Sequence, residues 1–251
     1  MWWSIIGALH NARSKAFLRE AHDLNDALQN YKAQRLGLFP PSFADATTKD
    51  GGLLVSRQYR LVWHLRMTFP EVRLTPLYQK FDDLRNFVLA NYAAQAGDGK
   101  IVQLDLNDLD QAEALVFWLA GFPTPVDVNT GQPLSPSKLF GFNKKGSHPF
   151  QLDVPPGAKP DDAQNTRWFP EQAYGFAFEQ SRLRDADNDG WWEYVPAYPS
   201  DAFPEPCPPY VYFDAGAYNP PQRDPQALSS YLGYPRPDPQ RAAQPAALRA
   251  R

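Results

Sequence analysis

The chain is short of several features that organise many proteins of its size. It has one cysteine, Cys207, among 251 residues, which excludes an intramolecular disulfide and a thiolate metal cluster. No apolar run approaches the roughly 20 residues that a bilayer-spanning helix needs. The longest near the start, Trp2 to Leu9, is interrupted by Ser4 and carries neither the basic flank nor the small-residue cleavage site of a secretory signal. As written, the chain reads as soluble or peripherally attached. An excess of one charge is missing too: 25 Lys and Arg face 28 Asp and Glu, a net charge of −3 and a pI of 5.8. A nucleic-acid protein needs a cationic face to displace counterions, so this balance argues against one.

Catalytic patterns are equally sparse. His10, His22, His64 and His148 are dispersed, without His-Glu-x-x-His or any other ligand spacing. Ser135-Pro136-Ser137-Lys138 fits Ser-x-x-Lys, but its companions Ser-Asp-Asn and Lys-Thr-Gly are absent from the sequence. Gly97-Asp98-Gly99-Lys100 lacks the full phosphate-loop spacing and the Ser or Thr after the lysine. Cys207 lies between two prolines with no helix start to lower its pKa, and reads as inert. The chain is therefore read as a protein other than an enzyme.

What the sequence does have is proline and rings. There are 26 prolines and seven tryptophans, aromatic residues make up 14% and hydrophobic residues 43%. That composition suits a sizeable core in a loop-rich chain pinned by ring packing. Ser4 to Leu36 reads as one helix: Ile6, Leu9, Phe17, Leu18, Ala21, Leu24, Leu28 and Tyr31 recur at three- and four-residue steps. Gly37 and Pro40-Pro41 end it. Such a helix is long for a globular domain, so part of it is expected to project.

Helices are also expected over Leu53–Met67, Leu77–Gln95 and from Asp110 to about Leu119, where Asp110-x-x-Glu113 resembles a capping box. The last is apolar nearly all round and should be buried. Pro123 to Pro170 reads as loop with anchors at Leu139, Phe140, Phe142, Phe150 and Leu152. Tyr174–Glu179, Trp191–Val195 and Pro209–Asp214 are strand candidates, simplest as an antiparallel meander. Trp63, Trp118 and Trp168 are expected in the core. The chain divides into an N-terminal helix (1–36), a globular head (37–218) and a Pro-, Ala- and Arg-rich tail (219–251) that reads as largely extended or disordered.

The sharpest local signal is Asp185-Ala186-Asp187-Asn188-Asp189-Gly190. Oxygen ligands at alternating positions let a chain coil around one hard cation, and the glycine permits the sharp turn. The pattern matches the first half of an EF-hand loop, but its twelfth position is Pro196 and no helix follows, so a calcium loop between strands is the better reading. Asp185, Asp187 and Asp189 are the candidate ligands, completed by the Trp191 carbonyl, Glu193 or an oxygen from another loop. Calcium would be structural, fixing a short hairpin that is marginal alone. A solvated acidic turn is the plainer alternative. Trp191, Trp192, Tyr194 and Tyr198 beside the loop also fit a sugar-binding platform, although core packing is the commoner use of such rings.

These landmarks, in order, carry a resemblance. Ala12-Arg13-Ser14-Lys15-Ala16, Asp23-Leu24-Asn25-Asp26-Ala27-Leu28, Tyr31-Lys32 and Gly37-Leu38-Phe39-Pro40-Pro41 look like the lower half of a type IV pilin or pseudopilin helix and the turn after it. Glu113 to Gly121, Gly141-Phe142-Asn143 with His148-Pro149-Phe150, Asp185 to Gly190 with Glu193-Tyr194-Val195, and Pro209 to Phe213 are similar to segments of planctomycete-type pilin-like proteins. The resemblance implies an α+β fold: a long N-terminal α-helix packed on a small antiparallel β-sheet, here with extra helices and long Pro-rich loops. It implies a structural subunit of a type IV pilus or type II secretion pseudopilus, in the cell envelope or outside the cell. Assembly would be with copies of itself or other pilin-like subunits through the helix. Calcium would stabilise a loop of the head, with Asp185, Asp187 and Asp189 the matching cluster.

The family begins with a basic leader, a Gly-Phe junction, an early Glu and about 20 apolar residues that anchor it in the inner membrane. Only Trp2–Leu9 corresponds to the tail of that stretch. The expectation is a start site placed too late or a head cut free of its apolar helix. The alternative function is a soluble calcium-dependent glycan-binding module.

Overall fold

The computed structural model describes residues 2–47, 53–69, 75–126, 131–133, 138–140, 174–197 and 207–214. The expected anchors Phe142, Phe150, Leu152 and Trp168, the Ser135-x-x-Lys serine, Tyr198 and the tail 219–251 lie outside the described residues.

The first helix, α1, runs unbroken over Trp2–Gln34. Its apolar stripe has two fates. Leu24, Ala27 and Tyr31 are buried in the core, whereas Phe17 and Leu18, further toward the N-terminus, are exposed. The helix ends as Leu36 and Gly37 turn left-handed, the Gly37 N–H donating to Lys32 O at 2.9 Å. Pro40-Pro41 then turns the chain under the head. Its two carbonyls are held from distant segments, Pro41 O by Trp118 Nε1 at 2.8 Å and Pro40 O by the Tyr212 hydroxyl at 3.0 Å.

A two-residue strand β1 (Ala46–Thr47) pairs antiparallel with β2 (Leu53–Val55). Helix α2 (Arg57–Thr68) follows, with the Ser56 hydroxyl accepting from the Tyr59 N–H as its cap. The expected helix Leu53–Met67 thus starts four residues late, because Leu53–Val55 is taken up by a hairpin and Ser56 supplies the better start. The expected helix Leu77–Gln95 is divided likewise. A 3-10 turn at Pro76–Tyr78 precedes α3 (Phe81–Asn91), and Ala93–Gln95 forms strand β3, paired with β4 (Ile101–Gln103) around the Gly97-Asp98-Gly99-Lys100 turn.

Helix α4 (Ala114–Ala120) is the expected buried helix, a little shorter at its start. It has no polar face to show to water, and Ala114 to Leu119 are all buried. Trp118 packs against Tyr31, Phe43 and His64, and Phe117 against Phe43 and Trp191. Trp63 is half-buried. After α4, β5 (Phe122–Pro123) pairs with β6 (Leu139–Phe140), and β7 (Leu183–Arg184) with β8 (Glu193–Tyr194).

The described residues are therefore mixed helix and strand, α+β, with four two-stranded antiparallel pairs. The expected meander is not formed. Phe176 and Phe178 meet β8 through their rings against Tyr194, at 5.7 and 4.9 Å, rather than through a backbone ladder. Residues 207–214 run as an extended strap beside β8. Pro208 and Pro209 have no N–H to give a ladder; the Tyr210 N–H donates to Tyr194 O at 2.8 Å and the Tyr212 N–H to Gln111 O at 3.1 Å. Strand β7, absent from the expectation, is the true partner of β8.

No helix among the described residues is long and apolar enough to cross a membrane.

Candidate metal centre

The loop between β7 and β8 carries the acidic motif. Asn188 and Gly190 both adopt positive φ, +64° and +95°, which coils the loop tightly. Gly190 has to be glycine for a second reason: a Cβ there would lie 2.8 Å from Val102 Cγ2 and 2.9 Å from Leu104 Cδ2, so the loop presses directly on β4 and the residue after it.

Asp185 is the loop's anchor. Its Oδ2 accepts from Gly190 N–H at 3.0 Å and from Gly97 N–H at 2.8 Å, and its Oδ1 from Asp189 N–H at 3.2 Å. Those amides come from the loop itself and from the β3–β4 turn. The first carboxylate of the motif is thus occupied by backbone donors. Trp191 is buried; its indole N–H donates to Asp105 O at 2.9 Å and its main-chain N–H to Asp189 Oδ1 at 2.8 Å.

The second and third aspartates meet a residue that the loop motif does not contain. Asp187, Asp189 and Glu113 each offer a carboxylate oxygen, and these oxygens lie within 4.8 Å of one another. Glu113 stands at the foot of α4. Its Oε2 accepts the Asp110 N–H at 2.7 Å while Asp110 Oδ1 accepts the N–H groups of Ala112 and Glu113, at 2.7 and 3.4 Å. The capping box legible in the sequence is present, and it fixes the glutamate's orientation. The other oxygen, Oε1, is buried without a hydrogen-bond partner, and so is Asp189 Oδ2. Glu113 is only 1% exposed.

Electrostatics make this arrangement unstable without a counter-charge. Burial pushes the Glu113 carboxyl up to about 10, with the charges of Asp189, Asp110 and Asp187 adding to it. Burial also pushes Asp189 up to about 7 and Glu193 up to about 7, each helped by neighbouring aspartates. Asp185 is raised by burial as well, against the pull of its backbone donors. A buried charged oxygen without a donor costs more than the roughly 1–3 kcal/mol of a neutral orphan. Protons or a cation can relieve it. The donors are all carboxylate oxygens, which suit a hard divalent ion rather than a soft one. Asp187, exposed, leaves such an ion open to water on one side.

Of the residues singled out in the sequence, Asp187 and Asp189 are brought together at this point, Asp185 and Trp191 hold the loop around them, and Glu193 lies buried in the same field of carboxylates. Glu113 was legible only as a cap. The signal that would have found it is its position: a carboxylate at the start of an all-apolar helix, which must be buried with it. Of the rings that also fit a sugar platform, the described ones follow the favoured reading of core packing, and Tyr198 lies outside the described residues. Trp191 and Tyr194 are buried, and Trp192 is half-buried under the Lys138 ammonium, 4.4 Å from its ring centre. His64 is buried and bonds the Tyr31 hydroxyl at 2.8 Å.

Comparison of the chain with protein-family models, with curated proteins and with solved structures returns no match.

Proposed function

We propose that the chain is a structural subunit of a filament of the type IV pilus or type II secretion pseudopilus kind, with a head stabilised by calcium. The observation that carries this reading is the divided burial of α1. Among the described side chains of this 33-residue helix, roughly 50 Å long, Leu24, Ala27 and Tyr31 are buried in the head's core and Leu28 packs against it, while Leu18 is exposed and Phe17 meets the head through the Tyr210 ring. A subunit that packs helix against helix has a use for an apolar side chain left exposed in this way. The landmark order in the sequence supports the same reading, and Glu113, Asp187 and Asp189 would hold the ion. Calcium fits better than magnesium because a coiled loop with irregular carboxylate spacing tolerates variable coordination.

The test is association in the cells that make the protein. In a Cys207→Ser background, Leu18→Cys should give disulfide-linked oligomers on mild oxidation, and antibody against the head should label filaments. Monomer only, with no labelled filament, would remove the proposal.

A further inference from the structure

The strap 207–214 and the acidic cluster span the same seam. On one side is the β7–β8 hairpin, which carries Asp187 and Asp189 in its loop and Tyr194 in β8. On the other is the turn before α4, which carries Gln111 and Glu113. Two main-chain N–H groups of the strap bind one to each side, Tyr210 to Tyr194 O at 2.8 Å and Tyr212 to Gln111 O at 3.1 Å. The cluster bridges the same two pieces, with Glu113 facing Asp187 and Asp189 within 4.8 Å. Glu113 is 1% exposed, its Oε1 is buried without a hydrogen-bond partner, and one of its carboxylate oxygens lies within 4.8 Å of the loop aspartates, which marks the cluster as a place for a ligand rather than a solvated acidic turn.

The strap also reaches α1. The Tyr210 hydroxyl donates to Glu20 Oε2 at 2.7 Å and its ring stacks on Phe17 at 5.5 Å, while Asp214 pairs with the buried Arg60 of α2.

We propose that binding of a divalent cation by Glu113, Asp187 and Asp189 is coupled to docking of the strap, so that an occupied site closes the strap on the head and steadies α1 at Phe17 and Glu20. The inference rests on the cation reading of the cluster. Its physical basis is spacing. With the site empty nothing draws Glu113 toward Asp187 and Asp189, so the seam is free to open, and a strap that needs Tyr194 O and Gln111 O at one separation loses one of its bonds. With a cation between them the two sides are drawn to that separation. The coupling must run both ways: a docked strap holds the ligands together and raises cation affinity.

The experiment is hydrogen exchange on the full chain, in millimolar calcium and in EGTA, with calorimetry of calcium binding alongside. Calcium should slow exchange over 207–214 by about fivefold or more, while α2 exchanges alike in both. Glu113→Gln should make strap exchange the same in both buffers. Tyr212→Pro, which deletes the N–H to Gln111 O together with the hydroxyl bond to Pro40 O, should weaken calcium binding by about fivefold or more. Should that variant unfold, Tyr210→Phe, which removes only the hydroxyl bond to Glu20, should weaken it in the same direction. Calcium binding with unchanged strap exchange overturns the coupling and leaves the cation reading standing. An absence of calcium binding overturns both.

Discussion

A carboxylate that keeps one oxygen without a donor at 1% exposure destabilises a fold that has no cation to give it, and Glu113 is such a group. Replacing it separates its two roles. Gln at 113 can still accept the Asp110 N–H through its carbonyl and so keep the cap, but it carries no charge. Glu113→Gln is therefore expected to melt higher than the native chain in EGTA, by several degrees, and to gain nothing from calcium, whereas the native chain gains. Scanning calorimetry in the two buffers reads both signs; a variant that melts lower in EGTA would show that the charge is already compensated within the protein. His64 supplies a second prediction at this scale. Burial, with the charges of Arg35 and Arg60, lowers it to about 3 from 6.5. The unfolded chain takes up a proton here first, so the neutral ring contributes stability fully above pH 6.5, and that contribution falls as the pH drops from 6.5 toward about 3. His64→Gln should flatten the fall in unfolding free energy across that window, measured by urea titration at successive pH values.

At the scale of elements, the β3–β4 turn lies at close backbone range to the acidic loop and is tied to it by the Asp185 carboxylate. A Cβ at Gly97 would lie 2.2 Å from the Asp185 carbonyl oxygen, an approach that only glycine permits. Gly97→Ala must push the turn off the loop and break the Gly97 N–H bond to Asp185. A loss of about 1–3 kcal/mol by urea unfolding is expected, together with weaker calcium binding. Unchanged stability would mean that the two loops are not held in contact. The same elements show what the sequence makes legible. Helix α1 and the all-apolar α4 are readable because their periodicity and stop signals are local. Leu53–Val55 and Ala93–Gln95 are not, since each adjoins a helix and only its hairpin partner makes it a strand. The site divides in the same way. Asp187 and Asp189 announce themselves by spacing, whereas Glu113 lies 74 positions before Asp187 and joins them only when α4 and the β7–β8 hairpin pack together.

Over the whole molecule, α1 has to be held firmly by its lower half if its upper half is to serve as a packing surface, and the hold is concentrated at Glu20. Its carboxylate takes a two-pronged bond from Arg182 and the hydroxyls of Tyr194 and Tyr210, at 3.2 and 2.7 Å. Three segments thereby converge on one turn of the helix: the 3-10 turn at Gln180–Arg182, β8 and the strap. Burial alone would push the Glu20 carboxyl up, but the bonds from Arg182, Tyr210 and Tyr194, with the Arg182 charge, bring it below its ordinary 4.5. A depressed acid contributes its stability above the unfolded value and loses it as the pH falls through the folded one. The junction between helix and head should therefore hold at neutral pH and weaken only below pH 4.5. Glu20→Gln isolates the effect from His64 and the acidic loop, which are common to both proteins. At pH 7 the variant should be less stable by on the order of 1 kcal/mol, having lost the charge but not the shape. That difference should shrink toward zero as the pH is lowered past 4.5, read from paired urea titrations. A difference that stayed constant across that range would mean that Glu20 acts through packing, and that α1 is held to the head by the rings of Phe17 and Tyr210 rather than by charge.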